Sequence, residues 1–150
     1  MRLTPNFSLD ELTVSETATR RGINNQPGPA ELANLTRLAE VLERVRTLLR
    51  GRPMLITSGY RTPEVNRLVG GALNSDHVQG RAADFICPGF GTPLQVCGAI
   101  AGSIDIEFDQ LIFEGTWVHL SIPLEGRSAR QQVLTAHFGT GPTTYTAGLP

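Results

Sequence analysis

Lysine is absent from this 150-residue chain, and all thirteen of its basic side chains are arginine. A GC-rich genome explains that as readily as any function does, so it excludes little. The charge balance excludes more. Fourteen acidic residues leave a formal net charge of -1, with no basic surplus for a nucleic-acid partner held by broad phosphate neutralisation. Cysteine is scarce: Cys87 and Cys97 are the only two, too few for a disulfide framework and without the spacing of a zinc finger. They read best as small apolar side chains in or near the core. No apolar run is long enough to cross a bilayer, and Met1 to Asn6 contain no apolar signal-peptide core. The expectation is synthesis in the cytoplasm without a signal peptide, and no membrane insertion.

What is present is an ordinary globular mixture, 40% hydrophobic and 18% charged. A chain of this length buries roughly two-thirds of its unfolded surface in one domain. Neither an internal repeat nor a linker divides it. Ser8 and Glu11 have capping-box spacing, with Phe7 and Leu12 as a staple. Leu32, Leu35, Leu38, Leu42, Val45 and Leu49 recur at helical spacing until Gly51 and Pro53. Thr62-Pro63 and Thr92-Pro93 each read as a cap followed by a first-turn proline. Strands are predicted over residues 54–57, 82–86, 108–113 and 117–122, and a last helix over 128–138. These elements predict an α+β domain, residues 1–138, with helices packed on a small, mainly antiparallel sheet. Residues 139–150 are expected to form a loosely structured tail.

Two segments concentrate the chemistry. Ser75-Asp76-His77-Val78-Gln79-Gly80-Arg81-Ala82-Ala83-Asp84 and Trp117-Val118-His119 hold two of the three histidines and a carboxylate inside an apolar strand. Two imidazoles and one oxygen donor suit a catalytic zinc, leaving a fourth position for water whose pKa falls to about 7. The bland alternatives are a salt bridge between Asp84 and an arginine, and two ordinary histidines. His137 sits in no such pattern and reads as structural.

The first segment resembles the S-x-H-x-x-G-x-A-x-D signature of the zinc D-Ala-D-Ala carboxypeptidase family, peptidase family M15. Ser75, His77, Gly80, Ala82 and Asp84 keep every spacing. Ser58-Gly59-Tyr60-Arg61-Thr62-Pro63-Glu64-Val65-Asn66 is similar to the S-G-[YF]-R-[ST]-P-x-x-N stretch of the same family. Phe108 to Ile112 and Trp117 to Ser121 look like its closing segments. The resemblance implies the Hedgehog/D,D-peptidase-like zinc peptidase fold and one Zn2+ per chain on His77, Asp84 and His119. It also implies a substrate carboxylate gripped by Arg61, whose alternative is a structural ion pair. Ser75 is assigned to substrate binding beside it. Gly59, Gly70, Gly71 and Gly80 read as backbone devices.

The general base departs from the family pattern. Many M15 members carry a glutamate three residues before the last histidine, where this chain has Thr116. Hairpin parity offers Glu114 instead. If Gly115-Thr116 is a two-residue loop, Glu114 pairs with Trp117 and Ile112 with His119. Glu114 then shares a face with His119, diagonal to it at about 7–8 Å. A solvated turn residue is the alternative.

The resemblance thus implies a zinc metallopeptidase acting on the stem or cross-link peptides of bacterial peptidoglycan, as an endopeptidase or D,D-carboxypeptidase. Short length without a wall-anchoring repeat fits a phage endolysin, expected to work as a monomer after release through a permeabilised membrane. The competing reading is a non-catalytic zinc-containing wall-binding or structural module.

Overall fold

In the computed structural model, which describes all 150 residues, a short hairpin of β1 (Arg2–Thr4) and β2 (Phe7–Ser8) leads into α1 (Leu9–Thr13). Next come α2 (Glu16–Arg21), α3 (Pro29–Leu48), β3 (Leu55–Ser58) and α4 (Pro63–Leu68). A 3₁₀ turn over Asp76–Gln79 then precedes β4 (Ala82–Ile86) and α5 (Pro93–Ala101). Four strands close the chain: β5 (Gln110–Phe113), β6 (Val118–Ser121), β7 (Gln132–His137) and β8 (Thr144–Ala147).

Helix boundaries follow side-chain chemistry. Ser8 and Glu11 form a reciprocal capping box on α1, and Thr92 with Gln95 repeats it on α5. Thr62 caps α4, with Pro63 in the first turn. The long α3 opens on Pro29 and lays Leu35, Leu38, Leu42 and Val45, all fully buried, against the sheet. Truncating any one of these leucines to alanine should cost about 2–5 kcal/mol, because the packed surroundings only partly close the void.

The main sheet is six-stranded and mixed, in the order β3-β4-β6-β5-β7-β8. It is therefore larger than the small, mainly antiparallel sheet expected. The difference arises in the last thirty residues. Residues 128–138 do not form the predicted helix: β7 runs parallel to β5, with Ile112 beside Leu134. Val133 packs toward the core while Leu134 lines a cleft on the opposite face, the two-residue alternation of a strand. Gln131, at φ 53, breaks helical continuity just before it. Nor are residues 139–150 a loose tail. β8 pairs antiparallel with β7 from His137–Thr144 to Leu134–Ala147, and Thr135 Oγ1 donates to the Gly148 carbonyl at 2.6 Å.

Strand alternation divides the sheet into two faces. Phe85, Leu111, Val118 and Leu120 join the helices in the hydrophobic core. Cys87 and Cys97 are buried there as free thiols, and burial pushes Cys97 up to about 12. The other face carries one transverse row. Ser58 pairs with Asp84, Asp84 with His119, His119 with Ile112, Ile112 with Leu134, and Leu134 with Ala147.

Candidate metal centre

His77, Asp84 and His119 meet at the β4–β6 end of that row. Their donor atoms all lie within 4.8 Å of one another. Asp84 Oδ1 is 3.3 Å from His77 Nε2 and 2.9 Å from His119 Nδ1. Donors about 2.0–2.1 Å from a tetrahedral zinc stand roughly 3.3–3.4 Å apart, and the two contacts Asp84 makes with the imidazoles lie close to that spacing.

The backbone fixes the first histidine. His77 Nδ1 lies 2.8 Å from the Gly59 carbonyl. A carbonyl cannot donate, so Nδ1 carries the proton and Nε2 keeps the lone pair a metal needs. Gly59 can reach this point only without a side chain, since a Cβ there would collide with the Leu12 carbonyl. The 3₁₀ turn bearing His77 is capped by Ser75, whose Oγ accepts from the His77 N–H at 3.2 Å. Gly80 ends it at φ 74, where a Cβ would meet Glu31 O at 2.6 Å. Arg81 braces the same turn, bonding Asp76 at 2.7 Å and the Ile122 carbonyl at 2.6 Å.

The electrostatics favour a cation among these groups. Burial alone would raise Asp84, but its hydrogen bonds to His119 and His77 hold it far below the usual carboxylate range. Burial depresses His77, favouring the neutral ligand form. Burial, the largest single influence, opposes protonation of His119, yet the Asp84 carboxylate together with the charges of Glu114 and Asp76 outweighs it and raises that group. A metal ion entering here would displace a proton.

The other expected residues stand around the same cleft, whose volume is about 680 Å³. Arg61 Nη2 is 3.7 Å from Asp84 Oδ2, while its Nε and Nη1 donate to Ser58 at 3.2 Å and Asn66 at 3.1 Å. Both partners belong to the motif that contains Arg61, so the motif itself was the signal for them. Ser75 borders the cleft as well as capping the turn. The β5–β6 hairpin has the register parity predicts: Ile112 lies opposite His119, and the Glu114 N–H donates to the Trp117 carbonyl at 3.1 Å. Glu114 therefore lines the cleft, whereas Thr116 is exposed at the hairpin tip. Burial, the largest influence, and the Asp84 charge raise Glu114 above its ordinary value, with His119, Trp117 and Arg61 pulling the other way. The buried Trp117 indole N–H has no hydrogen-bond partner of ordinary geometry, though it stands near enough to Glu114 to favour its charged form.

The Peptidase M15 family profile matches residues 5–120. The chain belongs to the peptidase M15 family. No curated protein matches it. As an M15 peptidase it is a hydrolase of the zinc-dependent metallopeptidase class, and His77, Asp84 and His119 offer a donor set that fits zinc. His137 stays outside the M15 site, paired with Thr146 Oγ1 at 2.8 Å. Leu134, Phe138 and Tyr145 line the cleft from beyond the matched residues. Sequence reading missed all three because it took their segment for helix and tail, where strand alternation was the only available signal.

Proposed function

We infer that this M15 peptidase hydrolyses peptide bonds in the stem or cross-link peptides of bacterial peptidoglycan, as an endolysin-type phage lysis enzyme. One observation carries the reading: three side chains able to hold a metal ion, a partly buried carboxylate and an anchored guanidinium share a single cleft. When bound, zinc supplies a Lewis acid that polarises the scissile carbonyl and brings the pKa of a water to about 7.

The chain's own residues supply the rest. Glu114 takes a proton from the attacking water and returns it to the departing amine as the C–N bond breaks. Its raised pKa suits both directions of that transfer. Arg61, immobilised by Ser58 and Asn66, presents a planar fork to a substrate carboxylate. Stem peptides provide such groups at D-alanine termini and on D-glutamate. The Ser75 oxygen is used in capping, which leaves its O–H to donate to substrate. The enzyme acts as a monomer and reaches the wall once the membrane is permeabilised.

Incubation of the zinc-loaded protein with purified peptidoglycan tests the reading. Soluble muropeptides should appear, disappear with a chelator and return with zinc. Mass spectrometry of those products assigns the bond, separating endopeptidase from carboxypeptidase. Tight wall binding without any cleavage would instead establish a non-catalytic zinc-containing module.

A further inference from the structure

The cleft is chemically lopsided. On one side of the metal ligands stand Arg61, Ser75 and Asp76; on the other, Ile112 and Leu134 form an aliphatic floor. Register places Ile112 one strand from His119, and Leu134 one strand further. At about 4.8 Å per strand, Leu134 lies roughly 10 Å from His119, the reach of about three residues of extended peptide. Three aromatic residues stand over this half: Trp117, Phe138 and Tyr145. The Trp117 and Phe138 ring centroids are 5.9 Å apart, and Phe138 and Tyr145 remain 58% and 50% exposed.

No free charge from β7 or β8 serves this half. The cleft-facing residues of these strands are Gln132, Leu134, Ala136, Tyr145 and Ala147, by alternation and pairing. Arg130 at its margin is already neutralised, donating to Asp109 through Nε at 3.0 Å and Nη2 at 2.7 Å. The charge that does reach this half is that of Glu114, so an anionic substrate group seated here would lose hydration and meet a like charge. The surface is continuous with the metal site in one cavity, so its occupant is the substrate chain itself.

We propose that the β7–β8 hairpin, together with Ile112 and Trp117, forms a substrate subsite that takes an uncharged, small-side-chain stretch of the peptide, while Arg61 holds a carboxylate on the opposite side of the scissile bond. The inference rests on the peptidoglycan reading and deepens it. The alanine-rich part of a stem peptide has the required chemistry, with methyl groups for the floor and backbone facing the rings. Phe138 and Tyr145 contribute ring surface rather than proton transfer. The phenol of Tyr145 is pushed up by partial burial and by the charge of Glu114, which keeps it neutral.

The test uses soluble disaccharide-pentapeptide muropeptides and zinc-loaded protein. Trp117 is the only tryptophan in the chain, so its fluorescence in a Glu114→Gln background reads occupancy directly. Phe138→Ala and Tyr145→Ala should each raise KM and the fluorescence Kd about tenfold, the effect of losing one partly buried ring. Their kcat, zinc content and circular dichroism should stay at the parent values. Tyr145→Phe keeps the ring and should bind within about twofold of the parent, which also guards against a misfolded alanine variant. Parent-like KM and Kd in both alanine variants, alongside normal turnover, would overturn the subsite alone. An equal loss in Tyr145→Phe would overturn the ring-contact assignment. If the parent neither turns over nor responds to muropeptides, the peptidoglycan reading falls and takes the subsite with it.

Discussion

Asp84 meets Arg61 through the oxygen that the histidines leave free. Its Oδ2 faces the Arg61 Nη2 at 3.7 Å, while Oδ1 lies within 3.3 Å of both imidazoles. The salt bridge and the metal reading of Asp84, alternatives in the sequence, are thus compatible in three dimensions. One carboxylate links the metal-ligating cluster to the group assigned to substrate, which couples charge at the two places.

Replacing His77, Asp84 or His119 with alanine should lower zinc content and hydrolysis together, since a three-donor site has no spare ligand. Metal analysis of the purified variants checks this. Full zinc in both His77→Ala and His119→Ala would rule out the ligand set.

Gly59→Ala should loosen the site from behind. The added Cβ meets the Leu12 carbonyl, which also accepts from the Tyr60 N–H at 2.7 Å, so backbone has to move. Strain of this kind costs about 1–3 kcal/mol. The displaced Gly59 carbonyl should weaken zinc affinity about 10- to 100-fold through His77. Denaturant unfolding and a chelator competition measure the two effects separately.

Glu114→Gln should retain zinc, because no ligand is lost and the amide is nearly isosteric. Hydrolysis should fall about 10²-fold or more, the scale for losing a general base. Near-normal turnover would assign the proton transfers to another group.

Arg61→Ala should keep the metal and the fold but lose about 10- to 100-fold in kcat/KM on substrates with a free carboxylate, the worth of a charge-assisted contact. Esterifying that carboxylate should erase most of the difference between the two proteins. An undiminished gap on the ester would return Arg61 to a purely structural role.

Asp109 supplies a pH-dependent element away from the reacting centre. Hydrogen bonds from Arg130, the largest influence, hold its pKa below the ordinary carboxylate value. A depressed folded pKa gives stability that is complete above the unfolded value of about 3.9 and lost as pH falls through the folded one. Asp109→Asn should therefore have a lower Tm than the parent at neutral pH, and the gap should narrow as pH drops below about 4. A gap constant from pH 7 to pH 3 would contradict this.

Much of the centre was legible because its determinants are local. Ser75, His77 and Gly80 occupy one turn, Ser58, Arg61 and Asn66 one strand-to-helix junction, and the Glu114 face follows from loop parity alone. Caps at Ser8, Thr62 and Thr92 were legible for the same reason. Residues 128–150 were not. Val133 and Leu134 are adjacent apolar residues, which suit a helix or a strand buried on both faces equally well. Their conformation is decided by β5, some twenty residues earlier, through a parallel pairing that leaves no mark in the intervening sequence. The apolar half of the cleft, built on that pairing, was hidden with it.

β6 is an inserted strand: it enters between β4 and β5, and it carries the third ligand. A polypeptide that has delivered His77 and Asp84 therefore lacks its third donor until the β5–β6 hairpin docks on β4 through its β6 edge. Pairings so distant along the chain form slowly, since loop closure precedes any reward from contact. The full three-donor set therefore exists only once β6 has paired with β4, which makes the site a product of the sheet's long-range assembly rather than of any local segment.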